Sequence, residues 1–104
     1  MNDNSKCYTF KEINVSEGLF DNVIDCCYVL VLEGSEREST INDRLSIMGY
    51  PCKKIRIQYN KGFRNCQKVL KEQKINFDLA DSYYNVFLDA AKNNYNNILV
   101  LEDD

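Results

Sequence analysis

The hydrophobic pattern of this chain changes period along its length. Cys27-Tyr28-Val29-Leu30-Val31-Leu32 and Ile98-Leu99-Val100-Leu101 are continuous apolar runs. Runs of this kind read as strands buried on both faces, as in the middle of a parallel sheet. Between them, Ile41, Leu45 and Met48 recur at i, i+4 and i+7, with Arg37, Asn42, Asp43 and Arg44 at the other positions. That spacing predicts an amphipathic helix over residues 36–48. Gly34 allows the turn into it and Ser35 can cap it, while Gly49 suits its C-terminal end and Pro51 prevents continuation. Lys54–Tyr59 alternates polar and apolar, predicting a strand near a sheet edge or covered on one face only.

Asn60-Lys61-Gly62 reads as a turn. Phe63, Cys66, Val69 and Leu70 then form a short helical stripe, followed by the solvated run Lys71–Lys74. A better-defined helix follows, with Asp78 as its N-cap and Asp81 in the first turn. Leu79, Tyr83, Val86, Phe87 and Ala90 share one face at helical spacing and are expected in the core. Lys92 and the pair Asn93-Asn94 mark its end.

Strands alternating with helices predict an α/β fold, a parallel sheet with helices on its faces. Residues 1–21 read as a lead segment, where Tyr8 and Phe10 alternate as in a short edge strand or an ordered tail. Residues 22–104 form the α/β unit. Ligands of such sheets bind beyond the carboxyl ends of the strands. Glu33-Gly34-Ser35 and Glu102-Asp103-Asp104 both follow strands, so they are expected to meet in one crevice.

Charge and composition narrow the chemistry. The net charge is −3 and the basic residues are scattered, which argues against a nucleic-acid surface. No apolar run reaches the length of a membrane span, and the polar start is not a signal peptide. The absence of histidine excludes His-based zinc sites and Ser-His or Cys-His catalysis. Five cysteines, with Cys26 and Cys27 adjacent, suggest reduced, partly buried thiols and a cytoplasmic location. Three consecutive carboxylates at a strand end call for a cation. A hard divalent ion such as Mg²⁺ or Mn²⁺ takes oxygen ligands and often shares them with phosphate.

At this point the chain resembles the amino-terminal half of a GT-A-type glycosyltransferase, most closely family 25, the lipopolysaccharide-type and collagen-galactosylating group. Three stretches carry the likeness: Tyr28–Arg37, Tyr83–Ala91 with Lys92-Asn93-Asn94-Tyr95, and Ile98–Asp104, whose "LEDD" is similar to that group's form of the DXD motif. The resemblance implies a partial Rossmann-like sheet and a nucleotide-sugar donor such as a UDP-sugar, with its diphosphate bridged by Mn²⁺ or Mg²⁺. It implies nucleotide contacts at Leu32, Glu33, Gly34 and Arg37, ribose and metal contacts at Glu102 and Asp104, and Asp103 between them. The acceptor would be a glycan or a protein. A complete domain of this type needs about 200–250 residues, so the chain is expected to be a fragment with little or no transferase activity of its own. Two rivals remain: a non-catalytic module that kept the nucleotide-binding half-fold, and a receiver-like Mg²⁺ domain, in which such acids open the fold instead of closing it.

Overall fold

The computed structural model of the chain describes residues 3–103. Its sheet has strands β1 (Tyr8–Asn14), β2 (Cys26–Leu32), β3 (Lys54–Asn60) and β4 (Ile98–Glu102), in the order β1-β3-β2-β4. Helix α1 (Ile41–Met48) connects β2 to β3, and α2 (Ile75–Lys92) connects β3 to β4. β2, β3 and β4 run parallel, with Leu30 beside both Gln58 and Glu102. β1 runs antiparallel to β3, so the sheet is mixed rather than parallel throughout. An antiparallel edge strand on a parallel sheet is a common way to finish it. Residues 8–14 of the expected lead segment are therefore part of the sheet.

The apolar run of β2 does what its composition suggests: Cys26 through Val31 are all buried. Alternation sends Cys27, Val29 and Val31 to one face, where they pack with Ile55, Ile57 and Cys52 beneath Ile41 and Leu45 of α1. Cys26, Tyr28 and Leu30 go to the other face and meet Val86 and Ala90 of α2. The two crossover helices thus lie on opposite faces.

Several expectations are corrected. β3 lies inside the sheet between β1 and β2, because its polar positions meet buried partners rather than solvent. Among the described residues β4 pairs only with β2, and its aliphatic side chains are half-buried, so it is not a central strand. α1 begins five residues later than predicted, after a single 3-10 turn at Glu38–Thr40, and Ser35 makes no cap. Met48 is exposed, whereas Gly49 ends the helix at φ +88°, as expected of a C-terminal glycine. Gly34 turns the chain at φ +83°.

The stripe Phe63–Leu70 forms no helix. Its backbone is claimed by distant partners: Asn4 accepts from the Val69 amide (2.8 Å) and donates to the Val69 carbonyl (3.0 Å). Cys66 is bonded to Cys7, 59 positions away, which corrects the expectation that all thiols are reduced. Spacing alone cannot reveal a pairing made by the start of β1 and a loop that meet only in the fold. Cys26, Cys27 and Cys52 are free and buried.

Candidate functional site

A crevice of about 280 Å³ opens at the carboxyl ends of β2, β3 and β4, on the face covered by α2. β2 connects outward to β3 on one side, and the chain then crosses back to β4 on the other, so strand order reverses between β2 and β4. Open α/β sheets bind ligands at that reversal. Leu30, Leu32, Phe63, Ile75 and Leu79 supply apolar walls. Gln58, Asn60, Asp78 and Ser82 add polar groups from β3 and the first turns of α2. Lys61 and Arg64 bring positive charge from the loop after β3, while Glu102 and Asp103 bring negative charge from the end of β4.

The polar side of this site is set by an unexpected feature of α2. Its buried residues include Asp78, Asp81, Ser82 and Asn85, with apolar Val86 and Ala90 further along. The expected core positions Leu79 and Phe87 are exposed at 37% and 54%. Beneath the first turns of α2 the sheet presents Gln58 and Asn60, and the helix turns Asp78 and Ser82 toward them, while Val86 and Ala90 further along meet apolar Cys26, Tyr28 and Leu30. Lys68, whose side chain is wholly buried, donates to Tyr8 Oη (2.7 Å), Asn60 Oδ1 (2.8 Å) and Asp78 Oδ1. Tyr8 in turn donates to Asp81 (2.6 Å), which also accepts from Asn4 (2.9 Å). Burial, with the Asp81 carboxylate beside it, holds the Tyr8 phenol well above its ordinary value. Asp78 therefore does not cap the helix, which starts at Ile75. Its carboxylate is spent on Lys68 and on Asn60 Nδ2 (3.1 Å).

Further along the same face, Asp89 accepts from Arg56 Nε (2.6 Å) and Nη2 (2.9 Å) and from the Tyr28 hydroxyl (2.5 Å). Bidentate pairing of this geometry is the strong form of a carboxylate–guanidinium contact. It raises Arg56 further above its already high value.

One polar atom on this face is left over. Gln58 is fully buried and lines the crevice, and its Nε2 donates to the Ser82 carbonyl (2.9 Å). Its Oε1 has no donor among the described residues. A buried acceptor without a donor costs about 1–3 kcal/mol.

The structure brings Leu32, Glu102 and Asp103 together in the crevice. Glu102 accepts from the Tyr83 hydroxyl (2.9 Å), which raises the Tyr83 phenol above its ordinary value. Glu33, Gly34 and Arg37 lie in the turn after β2 and are not among the lining residues. The Gly34 amide there donates to Glu38 (2.7 Å). Asp104 lies outside the described residues. Sequence reasoning missed Gln58, Asn60, Lys61, Arg64, Asp78 and Ser82. A signal for some of them existed: Asp78, Asp81, Ser82, Asn85 and Asp89 recur at helical spacing, a polar stripe as regular as the apolar one.

Among the described residues no group of three His, Cys, Asp or Glu side chains gathers to hold a metal ion. Mg²⁺-type ions, however, are commonly held by one or two carboxylates together with ligand phosphates, and Glu102 and Asp103 can supply that number. No helix among the described residues is long and apolar enough to cross a membrane. Neither a scan of protein-family models nor searches of curated proteins and of solved structures finds a match for this chain.

Proposed function

We propose that the chain forms the donor-binding half of a GT-A-type glycosyltransferase, a Rossmann-like half-sheet that binds a nucleoside diphosphate sugar through a divalent metal. The observation that carries this reading is the crevice at the strand-order reversal, with Glu102 and Asp103 on its β4 side and Lys61 and Arg64 on its loop side. An apolar slot suits the flat face of a base, and a bridged diphosphate suits a rim with both charges. Glu102 and Asp103, with the adjoining Asp104, would hold Mn²⁺ or Mg²⁺. Bound there, the ion would neutralise charge developing on a departing nucleoside diphosphate. Arg64 and Lys61 serve the same end as charge-assisted donors to phosphate oxygens. Glu33, Gly34 and Arg37 flank this arrangement and are assigned no contact in it.

Calorimetry with UDP in the presence and absence of Mn²⁺ tests the reading. Binding is expected with Mn²⁺ and is expected to weaken about tenfold or more in Glu102→Gln/Asp103→Asn, since each charge-assisted contact contributes about 1.5–3 kcal/mol. No heat at millimolar UDP, or equal affinity in the double variant, would overturn it.

A further inference from the structure

The wall of the crevice that carries its positive charge belongs to no helix or strand. Lys61, Gly62, Phe63, Arg64 and Asn65 all line the crevice, and residues 61–70 run between β3 and α2 without regular structure. Both ends of this span are fixed. At one end the Lys61 amide donates to the Cys7 carbonyl (3.0 Å) and the Gly62 amide to Asn60 Oδ1 (2.8 Å). At the other, Lys68 sits in its buried polar network and Val69 is paired in both directions with Asn4. The middle is held differently. The Asn65 and Cys66 amides donate only within the loop, to the Gly62 carbonyl (3.1 and 3.0 Å), and the Arg64 guanidinium lies over the neighbouring Phe63 ring. Among the described residues, the covalent and hydrogen-bonding ties of residues 63–67 to the rest of the fold converge on one atom, Cys7 Sγ. It is bonded to Cys66 and lies 3.7 Å from the Gln67 carbonyl oxygen.

The two cysteines also differ in access: Cys7 has no exposed surface, whereas Cys66 is half-buried. A thiolate can therefore approach only from the Cys66 side, with Cys7 as the leaving group. We propose that the Cys7–Cys66 bond is a redox-sensitive latch on the cationic wall of the crevice, and that a dithiol reductant opens it, frees residues 63–67 and weakens ligand binding. The choice of ligand rests on the donor-site reading; the latch itself does not. A thiolate of the reductant attacks Cys66 Sγ, the bond to Cys7 breaks, and Cys7 leaves as a thiolate that takes up a proton. The reductant's second thiol then loses its proton and attacks the reductant's own sulfur in the mixed disulfide, releasing Cys66, which is protonated in turn. Two electrons pass to the protein, which ends with two thiols, and the reductant ends as a disulfide. The thiol formed at Cys7 has an acceptor within reach in the Gln67 carbonyl, and Asn4 and Lys68 keep their partners, so the opened form keeps its sheet. Arg64 loses its fixed place, and its contact with a phosphate then carries the added cost of ordering the span.

Hydrogen exchange and calorimetry with UDP and Mn²⁺ test this on three samples, each with a melting curve. They are the oxidised chain, the chain reduced with dithiothreitol and freed of it under argon, and Cys7→Ser/Cys66→Ser. With the bond open, the amides of residues 65 and 66 are expected to exchange about tenfold or more faster, while those of β2 and β3 stay within about twofold. UDP is expected to bind about tenfold more weakly, the loss of one charge-assisted contact. By linkage, saturating UDP should make the bond tenfold harder to reduce at equilibrium with dithiothreitol, or about 30 mV. Unchanged exchange at residues 65 and 66 would overturn the proposal, since other contacts would then hold the span. Loss of the folded state on reduction would also overturn it, because the bond would then hold the whole fold and not one wall. Equal UDP affinity of the open and closed forms would do the same. Should only the double variant fail to fold, the reduced chain decides. Failure of the oxidised chain to bind UDP would bring down the donor-site reading alone, and the exchange rates would then decide the latch.

Discussion

One strand, β2, serves both faces of the sheet, and the two faces hold together by different physics. On the α1 side Cys27, Val29 and Val31 meet Ile41, Leu45, Ile55 and Ile57, side chains that need only to be kept from water. On the α2 side Tyr28 and Leu30 share the interface with Arg56, Gln58, Asn60, Lys68, Asp78, Asp81 and Asp89. Every one of those polar groups needs a partner of the right kind in the right place. The apolar face tolerates small changes, because losing a methyl group costs only its transfer and cavity terms. The polar face does not, because removing one partner strands another in a dry site. The crevice opens on that second face, beside dipoles and charges that the network holds in place.

The largest effect should come from breaking the polar face at its centre. Lys68→Met leaves Asp78 and Asp81 without their buried cation and is expected to cost about 3–5 kcal/mol, read from urea unfolding. A cost below about 1 kcal/mol would mean that the network contributes little to stability. Removing the Cys7–Cys66 bond, which closes a loop over 59 positions, is expected to cost about 4 kcal/mol by chain entropy. Comparing Cys7→Ser/Cys66→Ser with the unaltered chain under oxidising conditions measures it. Little change in midpoint would show that Asn4 and Lys68 hold the loop unaided.

Alkaline titration probes both faces at once. Burial pushes the Cys26 and Cys27 thiols up to about 12 from an ordinary 9.0. The folded state thus keeps protons that the unfolded chain loses, so this stability is complete below pH 9 and is lost as pH rises toward 12. At pH 10 each thiol should remove about 1 kcal/mol, and a flat stability between pH 8 and 10 would contradict this. Thiol labelling at pH 8 should likewise proceed only on unfolding, with Cys26, Cys27 and Cys52 reacting together.

On the apolar face, Ile57→Val should cost about 1 kcal/mol in the same urea assay. A cost matching that of Lys68→Met would erase the contrast between the faces. The smallest effect is expected at Phe87, more than half exposed, where Phe87→Ser should fall within about 0.5 kcal/mol of zero. A large loss there would show that the outer stripe of α2 is covered in solution.

Two helices show how far a pattern can be trusted. In α1 the positions Ile41 and Leu45 were legible as core because the sheet beneath them is apolar, and Met48 escaped only because the helix ends there. In α2 the same reasoning chose Leu79, Tyr83, Val86, Phe87 and Ala90. Val86 and Ala90 are buried and Tyr83 packs against them, but Leu79 and Phe87 are exposed, and the polar stripe Asp78, Asp81, Ser82 and Asn85 is buried beside Gln58 and Asn60. Periodicity locates a stripe; it does not say which of two regular stripes faces inward when the opposite surface is polar.

The site divides in the same way. Of the crevice-lining residues, Glu102 and Asp103 stood out because three acids after an aliphatic strand are conspicuous in any sequence, whereas Leu32 was named through the family resemblance. Gln58, Lys68 and Asp78 were not, since each is an ordinary polar residue until its partner is known.

The sequence by itself determined β2, α1, β3, α2 and β4 in that order, the buried identity of β2, the glycine turns at Gly34 and Gly49, and the acids that close β4. Those are local properties, fixed by side-chain type and spacing along a few residues. Only the tertiary structure decided that β1 joins the sheet antiparallel, that Cys7 meets Cys66, and that α2 buries its polar stripe around Lys68. It also left one buried amide oxygen, on Gln58, without a donor among the described residues. These depend on partners tens of residues apart, and hydrogen bonds and ion pairs exist only between groups that the fold has brought within reach.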